Sequence, residues 1–480
     1  MVDYETIIGF ECHSQLKTAT KLFCGCSTVF GAEPNSQTCP ICLGMPGVLP
    51  VMNRKAFELA LKTAIALNCE VPPVTVFDRK NYYYPDLPKN FQTSQNYHPL
   101  GRDGVMDIEV NGELKQIGID NVHLEEDAGK LIHPEGSGAN KSHVDLNRAG
   151  TPLLEIVTKP ELRSIDEARA CMEAMRQLLI YLDVSDCKMQ EGSLRFEPSI
   201  SIRPFDQKKL GNRVEIKNVN SVRFVVSALE FEIARQAEIL DSGGTVKQET
   251  ALFDETRNET RPMRTKEYAE DYRYFPEPDL VPNHLSRERL EEVKASLPEL
   301  PLARRQRFLN KYGLPEYDAG VLVGDPGVAD YFEECTRLHS DFKSVSNLVM
   351  NDILRELGER RIEIGEFTVS PEAASDLLER VAGGEVNKNQ SREVFAEMVE
   401  TGKSAGDIIE EKGLRQIGDE DTLSDLVKES IANNPQAADE YRAGKKKAKG
   451  ALVGPIMQAT KGKANPQVIN QLIDELLSES

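Results

Sequence analysis

Alternating apolar and polar residues dominate the first 290 or so positions of the chain and predict β-strands there. Residues 5–13 read as one strand. Residues 105–110 and 113–119 flank Asn111-Gly112, a dipeptide that strongly signals a two-residue β-hairpin turn. We therefore expect several strands in this part, some of them joined by hairpins.

The most regular alternation runs through residues 193–203. One face of this strand collects four apolar side chains, those of Leu194, Phe196, Ile200 and Ile202. Residues 214–219 are predicted to form the neighbouring strand.

Helical periodicity lies between these strands, at residues 53–67, 164–182 and 220–240. Ser164 with Glu167 has the spacing of a capping box and marks the start of the second helix. Strands interrupted by long helices and hairpins predict an α+β fold with a mainly antiparallel sheet.

Prolines interrupt the pattern at positions 276, 278, 282, 298 and 301, and beyond them strand signals almost vanish. The rest of the chain has helical periodicity, at residues 301–312, 326–338, 345–358, 371–381, 392–401 and 466–477. We therefore expect three domains, covering residues 1–292, 293–405 and 406–480.

Composition narrows the functional classes. The chain has 480 residues and a net charge of −20, from 58 basic and 78 acidic side chains, which excludes a wholly basic nucleic-acid binder. Nine cysteines with mixed spacings argue against a disulfide framework. No apolar run approaches the roughly 20 residues that span a bilayer, and the N-terminus lacks a signal-peptide layout. We expect a cytoplasmic protein with no membrane partner.

A basic cluster stands out in the acidic C-terminal part. Residues 442–463 contain seven basic side chains and no acidic one. The cluster predicts a local nucleic-acid surface, and a solvated helix face is the alternative. Its centre comprises Lys445, Lys446, Lys447 and Lys449.

Four cysteines form the sharpest local motif. Cys24 and Cys26 precede Cys39 and Cys42 by a short loop, the spacing of a four-thiolate zinc ribbon. A closed site of this kind is structural, so zinc would brace the loop. The alternative is four unrelated buried thiols.

Carboxylates and histidines form a second group. Glu11 and His13 share one face of the first predicted strand, and Glu155 lies in an otherwise apolar strand. A buried carboxylate is costly unless it is paired or binds a metal. His123, Glu125, Glu126 and Asp127 follow the hairpin. Such a donor set suits Mg²⁺ or Mn²⁺, and the alternative is surface carboxylates with a buried Glu155 bonded to Arg148 or Lys159.

Residues 78–89 crowd cations, three tyrosines and two prolines into one polar segment. Prolines exclude such a segment from a central strand, so an ordered loop is expected. Arg79 and Lys80 are the natural phosphate ligands, and a surface turn is the alternative. The sequence contains no Gly-x-Ser-x-Gly nucleophile elbow, so it offers no clear amidase or esterase nucleophile.

Taken together, the segments resemble the B subunit of the tRNA-dependent amidotransferase. The resemblance runs through nearly the whole chain, on residues 8–13, 31–35, 46–51, 78–85, 123–130, 145–157, 191–195 and 271–276. It implies a cradle-shaped first domain, a helical domain and a tRNA-binding YqeY-like tail. Two departures are Gln190, and Glu197 within the segment 196–199.

The resemblance also implies an activity. A member of this family is a carbon–nitrogen ligase that uses ATP to phosphorylate the side chain of Glu-tRNA(Gln) or Asp-tRNA(Asn). Ammonia from an amidase A subunit then displaces phosphate, and a small C subunit clamps the assembly. Carried over by position, the Mg²⁺ ligands would be His13, Glu126 and Glu155, while Glu11, Lys80 and Glu125 would line the same pocket.

Overall fold

The computed structural model describes residues 3–133, 141–265, 271–415, 420–460 and 464–478. The chain divides into two compact units, Met1–Ala303 and Arg304–Ser480. In chain order the described strands are β1 (Tyr4–Gln15), β2 (Val74–Thr75), β3 (Asp78–Asn81), β4 (Phe91–Ser94), β5 (Gly101–Val110), β6 (Glu113–Glu126), β7 (Lys130–Ile132), β8 (His143–Asp145), β9 (Pro152–Thr158), β10 (Leu194–Pro204), β11 (Val214–Lys217), β12 (Glu249–Asp254), β13 (Glu259–Thr265), β14 (Phe275–Pro276) and β15 (Asn283–His284).

The described helices follow the same order. They are α1 (Arg54–Ala66), α2 (Ile165–Tyr181), α3 (Val222–Asp241), α4 (Arg287–Ala295), α5 (Pro301–Tyr312), α6 (Glu316–Val323), α7 (Pro326–Leu338), α8 (Phe342–Leu348), α9 (Leu354–Arg360), α10 (Pro371–Ala382), α11 (Lys388–Thr401), α12 (Ala405–Glu411), α13 (Glu420–Asn433), α14 (Pro435–Arg442), α15 (Lys449–Ala459) and α16 (Pro466–Ser478). One π-helical turn, Val349–Ile353, joins α8 to α9.

An eight-stranded sheet organises the first unit, in the order β13-β12-β11-β10-β1-β9-β6-β5. Its neighbouring strands are antiparallel, apart from the parallel pair β11 and β12. The predicted α+β class with a mainly antiparallel sheet is confirmed.

The hairpin between β5 and β6 turns at the predicted dipeptide. Asn111 and Gly112 both have positive φ values, 53° and 82°. A type I′ turn requires this backbone at both central positions, and its twist matches the twist of the paired strands. The predicted hairpin is confirmed, and it places β6 beside β9.

β1 has one apolar and one polar face. Ile8, Phe10 and Cys12 are buried in a core that includes apolar residues of α1, α2 and α3. Since successive side chains of a strand point to opposite faces, Glu11 and His13 lie on the other side of the sheet. The helices therefore leave one face of the sheet available to polar side chains.

The cap of α2 forms only half of the predicted box. The Ser164 hydroxyl accepts a hydrogen bond from the backbone N–H of Glu167, at 3.1 Å. The Glu167 carboxylate accepts instead from the N–H of Arg163 and from the Lys115 ammonium, both at 2.6 Å. The helix begins where the sequence predicted, but its first turn is tied to β6 through Lys115.

The expectation that residues 78–89 avoid a central strand is wrong for the first four of them. β3, Asp78–Asn81, lies between β14 and β4 in a three-stranded sheet. Pro85 and Pro88 come after the strand has ended, so neither removes a hydrogen bond from it. The prolines stiffen only the turn between β3 and β4.

The described part of the second unit is helical, without strands. Helices α5 and α7 have the predicted bounds, and α7 begins with Pro326 after an Asp325 cap. The Glu333 carboxylate of α7 accepts hydrogen bonds from Arg304, Arg307 and Tyr312, at 2.8, 2.8 and 2.7 Å.

The end of the chain has an apolar cluster of its own, built from Leu423, Val427, Leu452, Ile456, Ile469 and Ile473 among others. The predicted division at residues 292 and 405 stays a prediction. None of the described helices is both long enough and apolar enough to cross a membrane.

Candidate active site

Four polar side chains form a row across the polar face of the sheet. His13 of β1 lies opposite Glu155 of β9 and opposite Arg195 of β10, and Glu155 lies opposite His123 of β6. Residues directly opposite each other in a ladder are neighbours on one face. The Glu155 Oε2 is 3.3 Å from His13 Nε2 and 3.2 Å from His123 Nε2.

Glu125 completes this group. It lies two positions after His123 on the same face of β6, and its Oε2 is 3.8 Å from His123 Nε2. The Ser94 hydroxyl also donates to Glu125, at 3.3 Å. One ligand atom each from His13, Glu125 and Glu155 lie within 4.8 Å of one another, so these three side chains could hold one metal ion.

The charges of this group are strongly coupled. Burial alone would lower the pKa of both histidines, but the adjacent Glu155 carboxylate raises the pKa of His13 to about 9 and that of His123 to about 10. Burial would raise the pKa of Glu155, but the two histidines hold it well below its ordinary value. Two carboxylates and an imidazole suit a hard divalent cation such as Mg²⁺ or Mn²⁺, so the donor set fits the expected metal.

Lys80 of β3 lies beside the same carboxylates. Burial would lower its pKa, but the charges of Glu125 and Glu155, together with two tyrosines, raise it above the ordinary value. Its ammonium is 5.0 Å from the centre of the Tyr272 ring. Lys80 therefore remains charged at the edge of the group.

Tyrosines of two segments surround Lys80. Tyr82 makes edge-to-face contacts with Tyr84 and Tyr272, and Tyr274 makes them with Tyr272 and Tyr97. Ring centres in these pairs are 6.0 to 6.4 Å apart. Since the rings pack on one another, they hold β3 and the segment before β14 in place.

Glu126 lies apart from the histidines. Its carboxylate pairs with the Lys89 ammonium and accepts from the N–H of Thr93 at 2.9 Å. Alternation explains the difference, since neighbouring residues of a strand face opposite sides. The structure therefore groups Glu125, rather than the expected Glu126, with His13 and Glu155.

Arg79 also faces away from Lys80. Its guanidinium forms two hydrogen bonds with Glu277, at 2.6 and 2.7 Å, and lies 4.2 Å from the centre of the Phe91 ring. Arg79, Lys89 and Glu126 line a separate cavity of about 240 Å³. The predicted pair of phosphate ligands is thus split between two sites.

His13, Glu125 and Glu155 together are named the metal group. Glu11 lies on the same polar face of the sheet, farther from this group. It lies opposite Glu197, whose carboxylate is 2.7 Å from the Lys217 ammonium. Lys217 also pairs with Glu215 at 3.1 Å. Burial and the charges of Glu155, Glu215 and Glu197 raise the pKa of Glu11. Glu197, one of the two departures, therefore presents a carboxylate that Lys217 holds on this face.

A second cavity, of about 360 Å³, begins at Glu11. Gly9 and Ser199 lie opposite each other on its floor, and Arg213 and Gln248 contribute polar groups. The cavity runs along β1, so it extends the site by several residues.

The four predicted cysteines meet in one place. Their sulfur atoms lie within 4.8 Å of one another, and the Cys39 and Cys42 sulfurs are 3.9 Å apart. Tetrahedral zinc with bonds of about 2.3 Å separates its sulfurs by about 3.8 Å. The geometry therefore fits a closed zinc site. Sequence reasoning missed the buried Lys21 beside Cys42, although a lysine shortly before Cys24 was a visible signal.

The basic residues of the tail fall around α14 and α15. Lys445 pairs with Glu440 at 3.5 Å, and Lys449 pairs with Asp474 at 2.5 Å. Lys446 and Lys447 lie in the short turn before α15 and are exposed. Two further predicted members of the cluster, Lys461 and Lys463, lie outside the described residues.

Comparisons with known proteins show the family of this chain. Residues 6–291 match the family model described as the GatB/GatE catalytic domain, and residues 330–477 match the GatB domain. Proteins named as the B subunit of aspartyl/glutamyl-tRNA(Asn/Gln) amidotransferase are similar over nearly the full length. The protein of Moorella thermoacetica is 53% identical over 476 residues, covering 99% of this chain and 100% of the relative. That of Carboxydothermus hydrogenoformans is 50% identical over 480 residues, covering 100% of both. The chain belongs to the family of the amidotransferase B subunits.

Proposed function

We propose that this chain is the subunit that amidates Glu-tRNA(Gln), Asp-tRNA(Asn) or both in an ATP-dependent reaction. The observation that carries the proposal is the buried group of His13, Glu125 and Glu155 with Lys80 beside it. The names of the relatives support the tRNA-dependent amidation in this proposal. The carboxylates and the lysine supply the charges that phosphoryl transfer needs.

The reaction would proceed in two steps, phosphorylation of the side-chain carboxylate and then formation of the amide. A side-chain carboxylate oxygen of the tRNA-bound amino acid attacks the γ-phosphorus of ATP, and the bond to ADP breaks. Ammonia then attacks the carbonyl carbon of the acyl phosphate, inorganic phosphate leaves, and ammonia loses a proton to become the amide. The acyl phosphate hydrolyses readily, so a water-excluding pocket would protect it.

His13, Glu125 and Glu155 would hold the magnesium ion. When bound, the ion supplies positive charge that neutralises phosphoryl oxygens. Lys80 contributes a second positive charge beside Glu125 and Glu155, and it would bind the transferred phosphoryl group. Arg79 is left out of this step because Glu277 holds its guanidinium.

The cavity beside Glu11 would receive the rest of the nucleotide. Its floor of Gly9 and Ser199 lets a ligand approach the backbone closely, and Arg213 offers a positive charge. Gly9 and His13 are four positions apart on β1, a distance of roughly 13 Å along a strand. A nucleotide would therefore reach from the cavity to the metal group.

Ammonia would come from a partner. The sequence carries no nucleophile elbow, so an amidase A subunit would release ammonia from glutamine, with a small C subunit completing the assembly. Zinc at the four cysteines would brace the loop of residues 24–42 without taking part in the chemistry.

An assay of ADP and amide formation tests the proposal. The chain, assembled with the A and C subunits, should form ADP only when Glu-tRNA(Gln) or Asp-tRNA(Asn) is present, and amide only when glutamine is added as well. Uncharged tRNA is the control. A zinc-braced scaffold that only binds tRNA would form no ADP, and that outcome would overturn the proposal.

The tail makes a separate prediction about tRNA binding. Replacing Lys446 and Lys447 with alanine should weaken tRNA binding and lower the salt slope of log Kd by about 1.5, since each lost phosphate contact removes about 0.7–0.9. Filter binding at several salt concentrations measures both quantities. Lys403→Ala, on an exposed lysine paired with Glu411, is the matched control. Unchanged affinity in the double variant would remove these lysines from the tRNA surface.

A further inference from the structure

Lys21 is among the largest side chains that are completely buried in the described chain, with an exposed fraction of 0%. The loop of residues 24–42 holds the four cysteines and is named the cysteine loop. The backbone N–H of Lys21 donates to the Cys26 carbonyl at 3.0 Å, which places Lys21 at the start of this loop. A lysine is almost never fully buried unless its charge is compensated. The residues around its ammonium must therefore explain its position.

The Lys21 ammonium has three partners. It donates to the Gln37 carbonyl at 2.7 Å, to the Leu146 carbonyl at 3.4 Å and to the Cys42 sulfur at 3.6 Å. Among the described residues it forms no ion pair with a carboxylate within 4.0 Å. Two neutral carbonyls satisfy its N–H groups but do not offset its charge. Cys42 is the partner that can carry a negative charge.

The charge of a filled cysteine site supplies the missing compensation. Four thiolates around Zn²⁺ carry a net charge of −2, and a buried charge of that size also needs a counterion. A lysine that touches one of the sulfurs reduces it to −1. The positive charge of the buried ammonium and the negative charge of the sulfur cluster thus compensate each other.

We infer that Lys21 is a positioning residue of the zinc site, which compensates the tetrathiolate charge and ties the cysteine loop to the segment before β9. The inference rests on the proposed zinc site. Gly150 lies where the cysteine loop meets the segment before β9. A Cβ atom at this position would lie 3.5 Å from Cys42, 3.6 Å from Lys21 and 3.8 Å from Glu126. The zinc site is therefore packed against the end of β6, which carries Glu125 and Glu126.

Zinc affinity and the spectrum of the cobalt-substituted protein test this inference in the full chain. Lys21→Met removes the charge and the hydrogen bonds, so it should weaken zinc binding 10- to 100-fold in a chelator competition, the usual effect of losing an outer-shell partner. The sulfur-to-cobalt charge-transfer band should shift to longer wavelength. Lys21→Arg keeps the charge and should restore most of the affinity. Lys55→Met, on an exposed lysine of α1, is the matched control.

These measurements distinguish a failure of the zinc site from a failure of the role assigned to Lys21. Wild-type protein that binds neither zinc nor cobalt through the cysteines would overturn the metal site itself. Zinc bound equally by wild type and Lys21→Met, with the same cobalt spectrum, would overturn only the inference about Lys21. If Lys21→Met does not fold, the Lys21→Arg spectrum decides. The guanidinium keeps the positive charge beside the sulfurs, so the Lys21→Arg band should stay close to that of wild type, and a clear shift to longer wavelength would contradict the inference.

Discussion

Replacing Glu155 with glutamine is expected to lower ATP- and tRNA-dependent amide formation by on the order of 10³-fold. The change is nearly isosteric, but it removes the charge that His13 and His123 share. It also removes one of the proposed metal ligands. The measurement is the initial rate of amide formation by the assembled enzyme at saturating ATP and glutamine. Glutamine hydrolysis by the A subunit should remain largely intact.

Two further variants make the Glu155 result specific. Glu173→Gln changes a carboxylate on the surface of α2 that pairs with Arg176, so it should leave the rate unchanged. Glu126→Gln should leave the magnesium dependence of the rate unaltered, because Lys89 and Thr93 hold that carboxylate away from His13. A wild-type rate in Glu155→Gln would refute the site. A magnesium requirement raised by Glu126→Gln alone would return Glu126 to the ligand set.

Glu333→Gln should destabilise the second unit by about 1–2 kcal/mol at neutral pH, because it removes the carboxylate that Arg304 and Arg307 share, while Arg304 keeps its pair with Asp330. Burial would raise the pKa of Glu333, but hydrogen bonds from Arg307, Tyr312 and Arg304 lower it to about 2 from an ordinary 4.5. A depression of this size corresponds to at most about 3 kcal/mol, and solvent screening of this partly exposed group lowers its contribution to stability.

The sign of the pH dependence follows from the lowered pKa. Glu333 is charged in the folded and the unfolded chain above about pH 4.5, so its contribution to stability is fully present there. The contribution is lost as pH falls towards about 2. Calorimetric melting of the full chain between pH 3 and 7, in roughly one-unit steps, should therefore bring the melting temperatures of wild type and Glu333→Gln closer together as pH falls.

Glu334→Gln is the control for this series. Glu334 lies on the same helix and pairs with the exposed Arg337, so its loss should cost well under about 1 kcal/mol. Equal stability of wild type and Glu333→Gln at pH 7 would show that the two arginines find other partners. A difference that grew towards low pH would contradict the lowered pKa.

The sequence predicted the residue types of the site better than their grouping. Glu11 and His13 share a face because they are two apart on one strand, and that relation is local. The choice between Glu125 and Glu126 depends on which side chains of β6 share a face of the sheet with Glu155, and this follows from the pairing of His123 with Glu155. A one-residue change of register would exchange the two carboxylates. Only the paired sheet contains that information.

The same limit explains the segment around Lys80. Local signals correctly placed two prolines and three tyrosines in an ordered turn, but strand β3 is defined by partners far along the chain. Phe275 pairs with Arg79 across 196 positions of sequence. The alternation of β3 then sends Arg79 and Lys80 to opposite sides. Sequence reasoning treated them as one pair because it lacked this second sheet.

The position of β1 in the sheet also determines when the first unit can fold on a ribosome. β1 ends at Gln15, but its two partners, β9 and β10, end at Thr158 and Pro204. At typical rates of synthesis of about 5–20 residues per second, β1 waits roughly 10–40 s for both neighbours. During that time Ile8 and Phe10, which the finished sheet buries, belong to an unpaired nascent segment. Contacts of such long sequence separation make folding slow. The metal group joins β1, β6 and β9, so it can form only after synthesis has passed Thr158, the end of β9.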